Sequence, residues 1–520
     1  MLLLLLMASL AGASELSDRA DVLQTEMDQA YKDGEYEAGV RLGEQIVALR
    51  TQDVGKDAST VGDAWNKLAF FLQALGRVEP AIEASENAIA IKEALLGPDH
   101  PDVATGHTNL AVALYQAGKY AEAKEHFARV LGIQMRTNGP DHEATASAMA
   151  NMSTMHEVLG EYDEMMPLLT RAHEIRLRVF GPDHPAVADS LSSLAALLNN
   201  HFGESERALE YMERSLEIQE AVHGLDHPNL IGALRNIAAV NQDLNRFAAS
   251  RIYYERELAL REKYLGVDHP DVAGTHAAMA RLFGDLGDFD EARRHAHAGL
   301  RILEASRGPD HPETAKALRE VGEILDWEGD YRGALAMYQR ALIIREATFA
   351  PAHSSVILSL SDVGRMKLNL RDLVAARDIF DHILRTVEEA YGPDHYETGM
   401  ALNYLAGLFL AQGDNARAKP LLVRALALNE AVVGPDSADL RAELLTLGDL
   451  ATTDGDFAAA EAYIGRAMRV TEVAHGPDHP YMATVLSTMA LLQENQGHLD
   501  EARALYERAA AILEKAFGPD

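Results

Sequence analysis

Gly97-Pro98-Asp99-His100-Pro101 is a five-residue tract that recurs along the chain at a nearly constant interval. Further copies begin at Gly139, Gly181, Gly224, Gly266, Gly308, Gly392, Gly434, Gly476 and Gly518, with a degenerate copy at Ala350 and a worn one at Gly55. Neighbouring copies are 42 residues apart, except for an interval of 43 between Gly181 and Gly224. We place the extra residue in the turn Asn200-His201-Phe202-Gly203. A period of this length is typical of stacked repeats and not of a globular catalytic domain.

Each repeat contains a second turn signal, which lies 21 residues after the tract, as in Gly118-Lys119-Tyr120. Between the two signals, apolar residues recur at the i, i+3, i+4, i+7 spacing of an amphipathic helix. In one repeat these residues are Val103, Leu110, Ala111 and Leu114, followed by Ala123, Phe127, Val130 and Leu131. The pattern predicts two helices in every repeat.

The residues of the tract are suited to end one helix and begin the next. Gly97 can take the left-handed conformation that ends a helix, and Pro98 prevents the helix from continuing. Pro101 suits the first helical turn, where its missing N–H costs nothing. Each repeat is therefore predicted to be one helical hairpin.

The spacing of Leu110-Ala111, Gly118, Tyr120 and Ala123 matches that of a tetratricopeptide repeat. The chain resembles tetratricopeptide repeat proteins, and in particular the 42-residue repeats of kinesin light chains and of many bacterial proteins, over about residues 17–520. The resemblance implies an all-α fold, a right-handed α-solenoid of about twelve hairpins. We expect a divergent hairpin in residues 14–59 and tandem repeats in residues 60–520.

The composition excludes several classes of function. Lys and Arg number 47 and Asp and Glu number 80 among 520 residues, so the formal net charge is −33. Such an acidic surface repels phosphate backbones and anionic headgroups, so neither nucleic acid nor a membrane surface is an expected partner. The chain has no cysteine, which excludes disulfides, thiolate nucleophiles and cysteine-ligated metal centres.

The first thirteen residues have features of a signal peptide. Leu2–Leu6 is an apolar run, and Ala11-Gly12-Ala13 fits the small-x-small pattern of a signal-peptidase site. Cleavage there would begin the mature chain at Ser14 and place an exported, bacterial protein in the periplasm or outside the cell. The alternative is a cytoplasmic protein in which this run is a hydrophobic helix packed on the first repeat. No later stretch approaches the length of a membrane span.

The histidines of the tract could suggest a ladder of metal sites. They are His100, His142, His184, His227, His269, His311, His353, His395 and His479. Neighbouring helices pack about 8–10 Å apart, whereas zinc lies about 2 Å from each histidine nitrogen. Histidines of adjacent repeats therefore cannot share an ion without rearrangement, and the favoured interpretation is that each fixes its turn. His295 and His297 are two residues apart on a helix and do not face together. We predict no metal site.

The sequence also contains no known catalytic motif. It has no Gly-x-Ser-x-Gly elbow, no His-Glu-x-x-His, no phosphate-binding glycine loop and no dinucleotide fingerprint. Paired carboxylates arise by chance among 80 acidic residues, so their presence does not indicate acid–base catalysis. We therefore predict a non-enzyme that needs no cofactor.

The resemblance implies that the first helix of each hairpin lines a concave peptide-binding groove. Asparagines recur on these helices, and the candidate groove residues are Asn66, Asn109, Asn151 and Asn236. In kinesin light chains such asparagines hold the backbone of an extended peptide, and an amide offers both the donor and the acceptor that this requires. Asparagines that only bond each other between repeats would look the same in the sequence.

A second candidate region combines both signs of charge with a tryptophan. Its residues are Arg281, Arg319, Glu320, Glu323, Trp327 and Arg365. Tryptophan and arginine are favoured anchors in binding sites, so this region could be a specificity pocket. The alternative, which we favour, is a solvated face with internal ion pairs and Trp327 packed between repeats.

The leading hypothesis is a scaffold that binds extended segments of partner proteins in its groove. The alternative is the sensor or regulatory half of a bacterial signalling or protease system of the CHAT-peptidase type, whose effector is on another chain or in a missing C-terminal domain. The chain stops at Gly518-Pro519-Asp520, where a thirteenth hairpin would begin. Because an uncapped solenoid end is apolar, we also expect either end-to-end self-association or a further domain there.

Overall fold

The structure, a computed structural model, describes residues 2–52 and 58–517, with side chains described for residues 16–52 and 59–516. The described residues form twenty-four α-helices and no strand. Consecutive helices pair as twelve hairpins, which confirms the predicted all-α solenoid of tandem helical hairpins. The worn tract at Gly55 and the last tract at Gly518 lie outside the described residues.

The chain divides into two compact units, Met1–Val222 and His223–Asp520. The helices of the first unit are α1 (Leu2–Asp33), α2 (Tyr36–Gln52), α3 (Ala58–Ala74), α4 (Val78–Leu96), α5 (Pro101–Gln116), α6 (Tyr120–Thr137), α7 (Glu143–Val158), α8 (Tyr162–Phe180), α9 (Pro185–Leu197) and α10 (Ser205–His223), of which only the last residue of α10 belongs to the second unit.

The second unit contains seven hairpins among its described residues. Its helices are α11 (Ile231–Asp243), α12 (Phe247–Leu265), α13 (Pro270–Asp285), α14 (Phe289–Ser306), α15 (Pro312–Trp327), α16 (Tyr331–Thr348), α17 (Ser354–Asn369), α18 (Leu373–Tyr391), α19 (Tyr396–Ala411), α20 (Asn415–Val433), α21 (Arg441–Thr453), α22 (Phe457–His475), α23 (Pro480–Asn495) and α24 (Leu499–Phe517). Short 3₁₀ turns, Pro228–Leu230 and Ala438–Leu440, precede α11 and α21.

The predicted helix boundaries are confirmed in the repeat that begins at Gly97. Gly97 has φ of +84° and follows the last residue of α4, and Gly118 has φ of +75° in the turn after α5. Both values lie in the left-handed region that glycine tolerates without steric cost. Pro101 is the first residue of α5.

The extra residue between the copies at Gly181 and Gly224 is confirmed to lie in the predicted turn. After α9 the chain forms a π-helical turn, Leu198–Phe202, which ends at Gly203 with φ of +67°. A π turn has a wider hydrogen-bonded ring than an α-helix, so it takes up one added residue without shifting the flanking helices out of register.

The tract histidines cap the helices that follow them. His100 Nδ1 accepts a hydrogen bond from the main-chain N–H of Asp102 at 3.2 Å, which satisfies one of the free donors at the start of α5. The same cap is formed by His142, His184, His227, His269, His311, His353, His395 and His479. Where the tract reads Gly434-Pro-Asp-Ser437, the Ser437 hydroxyl accepts the equivalent bond at 3.2 Å. The histidines therefore have the turn-fixing role that the sequence favoured.

The two helices of a hairpin approach closely at one small residue of the first helix. Ala111 is fully buried there, and Gly322 occupies the equivalent position of α15. A Cβ at Gly322 would lie 2.7 Å from the ring of Tyr338 on α16, so only glycine leaves room for this aromatic ring. The Leu-Ala pair of the repeat thus marks where the core of each hairpin lies.

Polar side chains join successive repeats. Lys92 is 1% exposed, and its Nζ lies 2.6 Å from Asp63 on α3 and 3.1 Å from Asp102 on α5. Arg129 of α6 donates to the main-chain oxygen of Pro98 at 3.2 Å, which ties the second helix of one repeat to the preceding turn. A buried ammonium paired with two carboxylates avoids the penalty of an unpaired buried charge.

Candidate functional site

All ten predicted site residues lie on the first helices of their hairpins. Asn66, Asn109 and Asn151 lie on α3, α5 and α7 in the first unit. In the second unit, Asn236 lies on α11 and Arg281 on α13, the four residues Arg319, Glu320, Glu323 and Trp327 on α15, and Arg365 on α17. We call the surface formed by these odd-numbered helices, in either unit, the first-helix surface.

Asn66 and Asn109 are bonded to each other between repeats. Asn109 Nδ2 donates to the main-chain oxygen of Asn66 at 3.1 Å, and Asn66 is only 8% exposed. Gln73 in turn donates to the main-chain oxygen of Asn109 at 2.6 Å. The sequence left open the alternative that asparagines bond each other between repeats instead of binding a ligand. This pair has that geometry.

Asn151 and Asn236 differ from that pair. Asn151 is half-buried and Asn236 is exposed, and within the described residues neither side-chain amide forms a hydrogen bond. A surface amide without a protein partner keeps its donors and its acceptor for water or for a ligand.

Four of the six residues in the second candidate region line one cavity. Arg281, Glu320, Glu323 and Trp327 line a space of about 220 Å³ between α13 and α15, together with Asp285. The indole is 47% exposed, and its ring lies so close to Gly284 that a Cβ there would be 2.1 Å from it. One edge of the Trp327 ring thus packs on the neighbouring repeat, and the remainder of the side chain is accessible to solvent.

Burial changes the pKa values of the two glutamates that line this cavity. It raises the pKa of Glu320 and of Glu323, because the charged carboxylate loses hydration. Lys316 and Arg281 oppose this shift at Glu320, and Arg319 and Arg281 oppose it at Glu323. The cavity therefore combines an aromatic face with two carboxylates whose pKa values are lowered by a nearby cation or hydrogen-bond donor.

Arg319 and Arg365 are outside this cavity and form an ion-pair network around Asp362. Arg319 Nε donates to Asp362 at 2.8 Å, and its Nη1 lies 2.7 Å from Glu323. Arg365 donates to Asp326, and at 3.4 Å to Asp362. Asp362 is only 4% exposed, so these ion pairs are internal and join α15 to α17. Internal ion pairs of this kind are part of the alternative interpretation that the sequence favoured.

Two histidine pairs were not anticipated from the sequence. His107 Nδ1 lies 3.0 Å from His126 Nδ1, and His276 Nδ1 lies 2.8 Å from His295 Nδ1. Both pairs are separated by 19 residues, which joins the first and second helix of one hairpin. The recurring separation of 19 residues is the signal in the sequence that indicates these pairs.

The described residues contain neither a metal centre nor a membrane-spanning helix. No group of three or more His, Asp or Glu side chains is arranged to hold a metal ion in this part of the chain. Among the helices that the structure describes, none has both the length and the apolar character needed to cross a bilayer.

Comparison with solved structures finds chains built from similar repeats. A putative kinesin light chain from Podosopora anserina with nearly identical TPR-like repeats is 24% identical, covers 40% of this chain and 98% of its own length, and has a TM-score of 0.36. BtubC (BKLC) from P. vanneervenii is 17% identical, with coverages of 45% and 92% and a TM-score of 0.36. A tetratricopeptide repeat protein from Parabacteroides merdae is 15% identical, with coverages of 59% and 98% and a TM-score of 0.41.

A search of the curated proteins found no match. The sequence profile of the tetratricopeptide repeat, in contrast, matches most of the chain. The matched segments are residues 60–136, 103–164, 151–221, 194–263, 230–305, 271–347, 354–431 and 440–515. This chain belongs to the tetratricopeptide repeat family.

Proposed function

We propose that the chain is a non-catalytic scaffold that binds extended segments of partner proteins on its first-helix surface. Tetratricopeptide repeats support a protein-interaction scaffold, and their fold is typically non-catalytic. The observation that carries the finer proposal is the cavity at Trp327, where a half-exposed indole lies beside Arg281, Glu320 and Glu323. An aromatic ring bordered by charges can hold a side chain by burial and orient it by hydrogen bonds.

The asparagines divide into two classes in this proposal. Asn151 and Asn236 provide amides for the backbone of a bound segment, because no described residue engages them. Asn66 and Asn109 stabilise the contact between their repeats, because they are bonded to each other. Arg319 pairs with Glu323 of the cavity lining, and both Arg319 and Arg365 pair with Asp362, so these arginines stabilise the helices that form the cavity.

A peptide selection tests the proposal. The full chain would be immobilised, peptides selected from a random 12-residue phage library, and their affinities measured by calorimetry. We expect Trp327→Ala or Asn236→Ala to weaken peptides that bind the second unit, and Asn151→Ala to weaken those that bind the first. Each lost neutral hydrogen bond corresponds to about 0.5–1.5 kcal/mol, or roughly a two- to tenfold change in affinity.

Asn138→Ala is the matched control, since Asn138 is an exposed asparagine in an inter-repeat turn and not on the first-helix surface. It should leave every affinity unchanged. Failure to select any peptide, or selected peptides that bind all these variants equally well, would overturn the proposal.

We also propose that residues 1–13 are a signal peptide, followed by a divergent hairpin in residues 14–59 and the tandem repeats in residues 60–520. Helix α1 runs from Leu2 to Asp33 through Ala11-Gly12-Ala13, but the side chains before residue 16 lie outside the described residues. N-terminal sequencing of the protein from its host should begin at Ser14 if the protein is exported to the periplasm or secreted. A chain that retains Met1 in the cytoplasm would contradict the proposal.

A further inference from the structure

A second and larger cavity lies between the tenth and eleventh hairpins, in the second unit. Its volume is about 490 Å³, and its walls are formed by α19, α20, the 3₁₀ turn Ala438–Leu440 and α21. Much of the lining is apolar, and includes Met400, Leu410, Leu422 and Val433. The space is large enough to bury a side chain or a small molecule.

Glu443 distinguishes this junction from the others. The other repeats carry a small or β-branched residue at the equivalent position of the first helix: Ala64, Gly106, Ala148, Ser190, Ala233, Thr275, Ala317, Ser359, Ala401 and Val485. A small side chain there allows the first helix to lie close to the preceding hairpin. Glu443 instead places a carboxylate at the junction.

Two asparagines hold this carboxylate from one side. Asn429 Nδ2 of α20 donates to Glu443 Oε1 at 2.5 Å, and Asn403 Nδ2 of α19 donates to the same oxygen. Asn429 is only 4% exposed, so its position is set by the surrounding core. Both amide nitrogens are thereby directed to one carboxylate oxygen.

The remaining oxygens of this cluster have no donor. Glu443 Oε2, Asn403 Oδ1 and Asn429 Oδ1 are buried and have no hydrogen-bonding partner in the described structure. An unsatisfied buried acceptor is costly, and an unpaired buried carboxylate more so. The only charged residues in the cavity lining are Glu443 and Asp439, both acidic, so no lysine, arginine or histidine of the lining supplies the missing donor.

We propose that this cavity binds a primary alkylammonium group, with the ammonium at Glu443 and the aliphatic stem against the apolar wall. An ammonium has three N–H donors and no acceptor, which matches three acceptors without a donor. Its charge pairs with the carboxylate, and its methylene stem is buried against Met400, Leu410 and Leu422.

An alkylammonium group can come from a free aliphatic amine or from a lysine side chain of a bound protein segment. The lysine source rests on the proposed function, because it requires a segment on the first-helix surface. The free amine does not. The two sources therefore have separate measurements.

Calorimetry with the full chain tests the proposal. The probes are n-pentylamine, n-pentanol as its uncharged counterpart, and a seven-residue Ser/Gly peptide with a central lysine, capped at both ends. We expect saturable binding of n-pentylamine or of the lysine peptide, and binding of n-pentanol at least tenfold weaker. A peptide that binds more tightly than n-pentylamine identifies a protein segment as the source, and the reverse order identifies a free amine.

Two variants test the role of the carboxylate. Glu443→Gln retains the shape of the side chain but removes its charge, and Glu443→Ala restores the residue found at Ala401 one repeat earlier. Both should reduce binding at least tenfold while circular dichroism remains helical. Asp290→Asn, which removes an exposed carboxylate on α14, should not change binding.

Absence of saturable binding by both the amine and the lysine peptide would overturn the proposal. So would binding that Glu443→Gln leaves unchanged. If the lysine peptide fails but n-pentylamine binds, the cavity is confirmed for free amines independently of the peptide-binding function.

Discussion

Asn109 donates a hydrogen bond from its side-chain amide to the main-chain oxygen of Asn66, 3.1 Å away in the preceding repeat. This bond crosses the junction between two hairpins, where the side chain of Asn66 is almost fully buried. The relation shows that asparagines on successive first helices can stabilise the stack of repeats, and that a run of them in the sequence does not by itself indicate a ligand site.

Asn109→Ala should therefore destabilise the protein, whereas Asn151→Ala should not. We expect Asn109→Ala to lower the free energy of unfolding by about 0.5–1.5 kcal/mol, the net worth of one neutral hydrogen bond. Asn151 is the matched control, because it also lies on a first helix and its amide has no described partner. Urea unfolding followed by circular dichroism measures both. Equal destabilisation by the two substitutions would contradict the assignment.

Replacement of one tract histidine should test its role as a helix cap. His311 accepts a hydrogen bond from the N–H of Glu313 at 3.2 Å at the start of α15. His311→Ala should lower the free energy of unfolding by about 0.5–2 kcal/mol, as for loss of other N-caps. His311→Ser should recover most of this loss, because Ser437 forms the same cap in the eleventh hairpin. A serine variant as unstable as the alanine variant would show that another property of the imidazole matters.

The hairpins could be predicted from the sequence because their boundaries depend on local chemistry. Gly97 and Gly118 provide the left-handed conformations, and Pro101 begins a helix. These effects act within a few residues, so they are visible in the sequence wherever the tract is intact. The same reasoning correctly located the added residue near Gly203.

The candidate site could be predicted only in part, because its geometry depends on packing between repeats. The sequence indicated that Arg319, Glu323 and Arg365 lie on first helices. It did not indicate which residues they would contact. Asp362, which pairs with both arginines, is 43 residues from Arg319 and lies on the next first helix. The role of Glu443 could not be predicted for a related reason. A glutamate in a helix usually indicates a surface charge, and only comparison with the small residues at the equivalent positions of other repeats shows that Glu443 is unusual.

A methyl group at Gly284 should displace Trp327. A Cβ at that position would lie 2.1 Å from the indole ring, and a rigid ring can avoid it only by moving toward solvent. We expect the fluorescence of Trp327 to shift to longer wavelength in Gly284→Ala. Because the chain has two tryptophans, the measurement uses a Trp65→Phe background. Gly274→Ala on the same helix is the control, since a Cβ there meets only the end of the Arg235 side chain at 3.9 Å. An unchanged spectrum in Gly284→Ala would contradict the packing of Trp327 on α13.

The pair His276–His295 should make the second unit sensitive to mild acid. Burial lowers the pKa of both imidazoles from 6.5 to about 4, and nearby Arg294 contributes to both shifts. In the unfolded chain each would take up a proton near pH 6.5. Between pH 6.5 and pH 4 the unfolded state therefore binds more protons than the folded state, so the stability conferred by the neutral rings is present above pH 6.5 and is lost as the pH falls. At pH 5, each such ring lowers the free energy of unfolding by on the order of 2 kcal/mol relative to its value at neutral pH and above.

Substitution of the buried ring separates this effect from the titration of the many carboxylates. We expect the melting temperature of His295→Gln to fall less between pH 8 and pH 5 than that of the wild type, because one of the two buried imidazoles no longer takes up a proton on unfolding. His297→Gln is the control, since His297 lies two residues away on α14 and is exposed. It should show the wild-type pH dependence, as measured by thermal melting across that range. If His295→Gln and His297→Gln lose stability with falling pH to the same extent as the wild type, the buried pair does not contribute to the acid sensitivity.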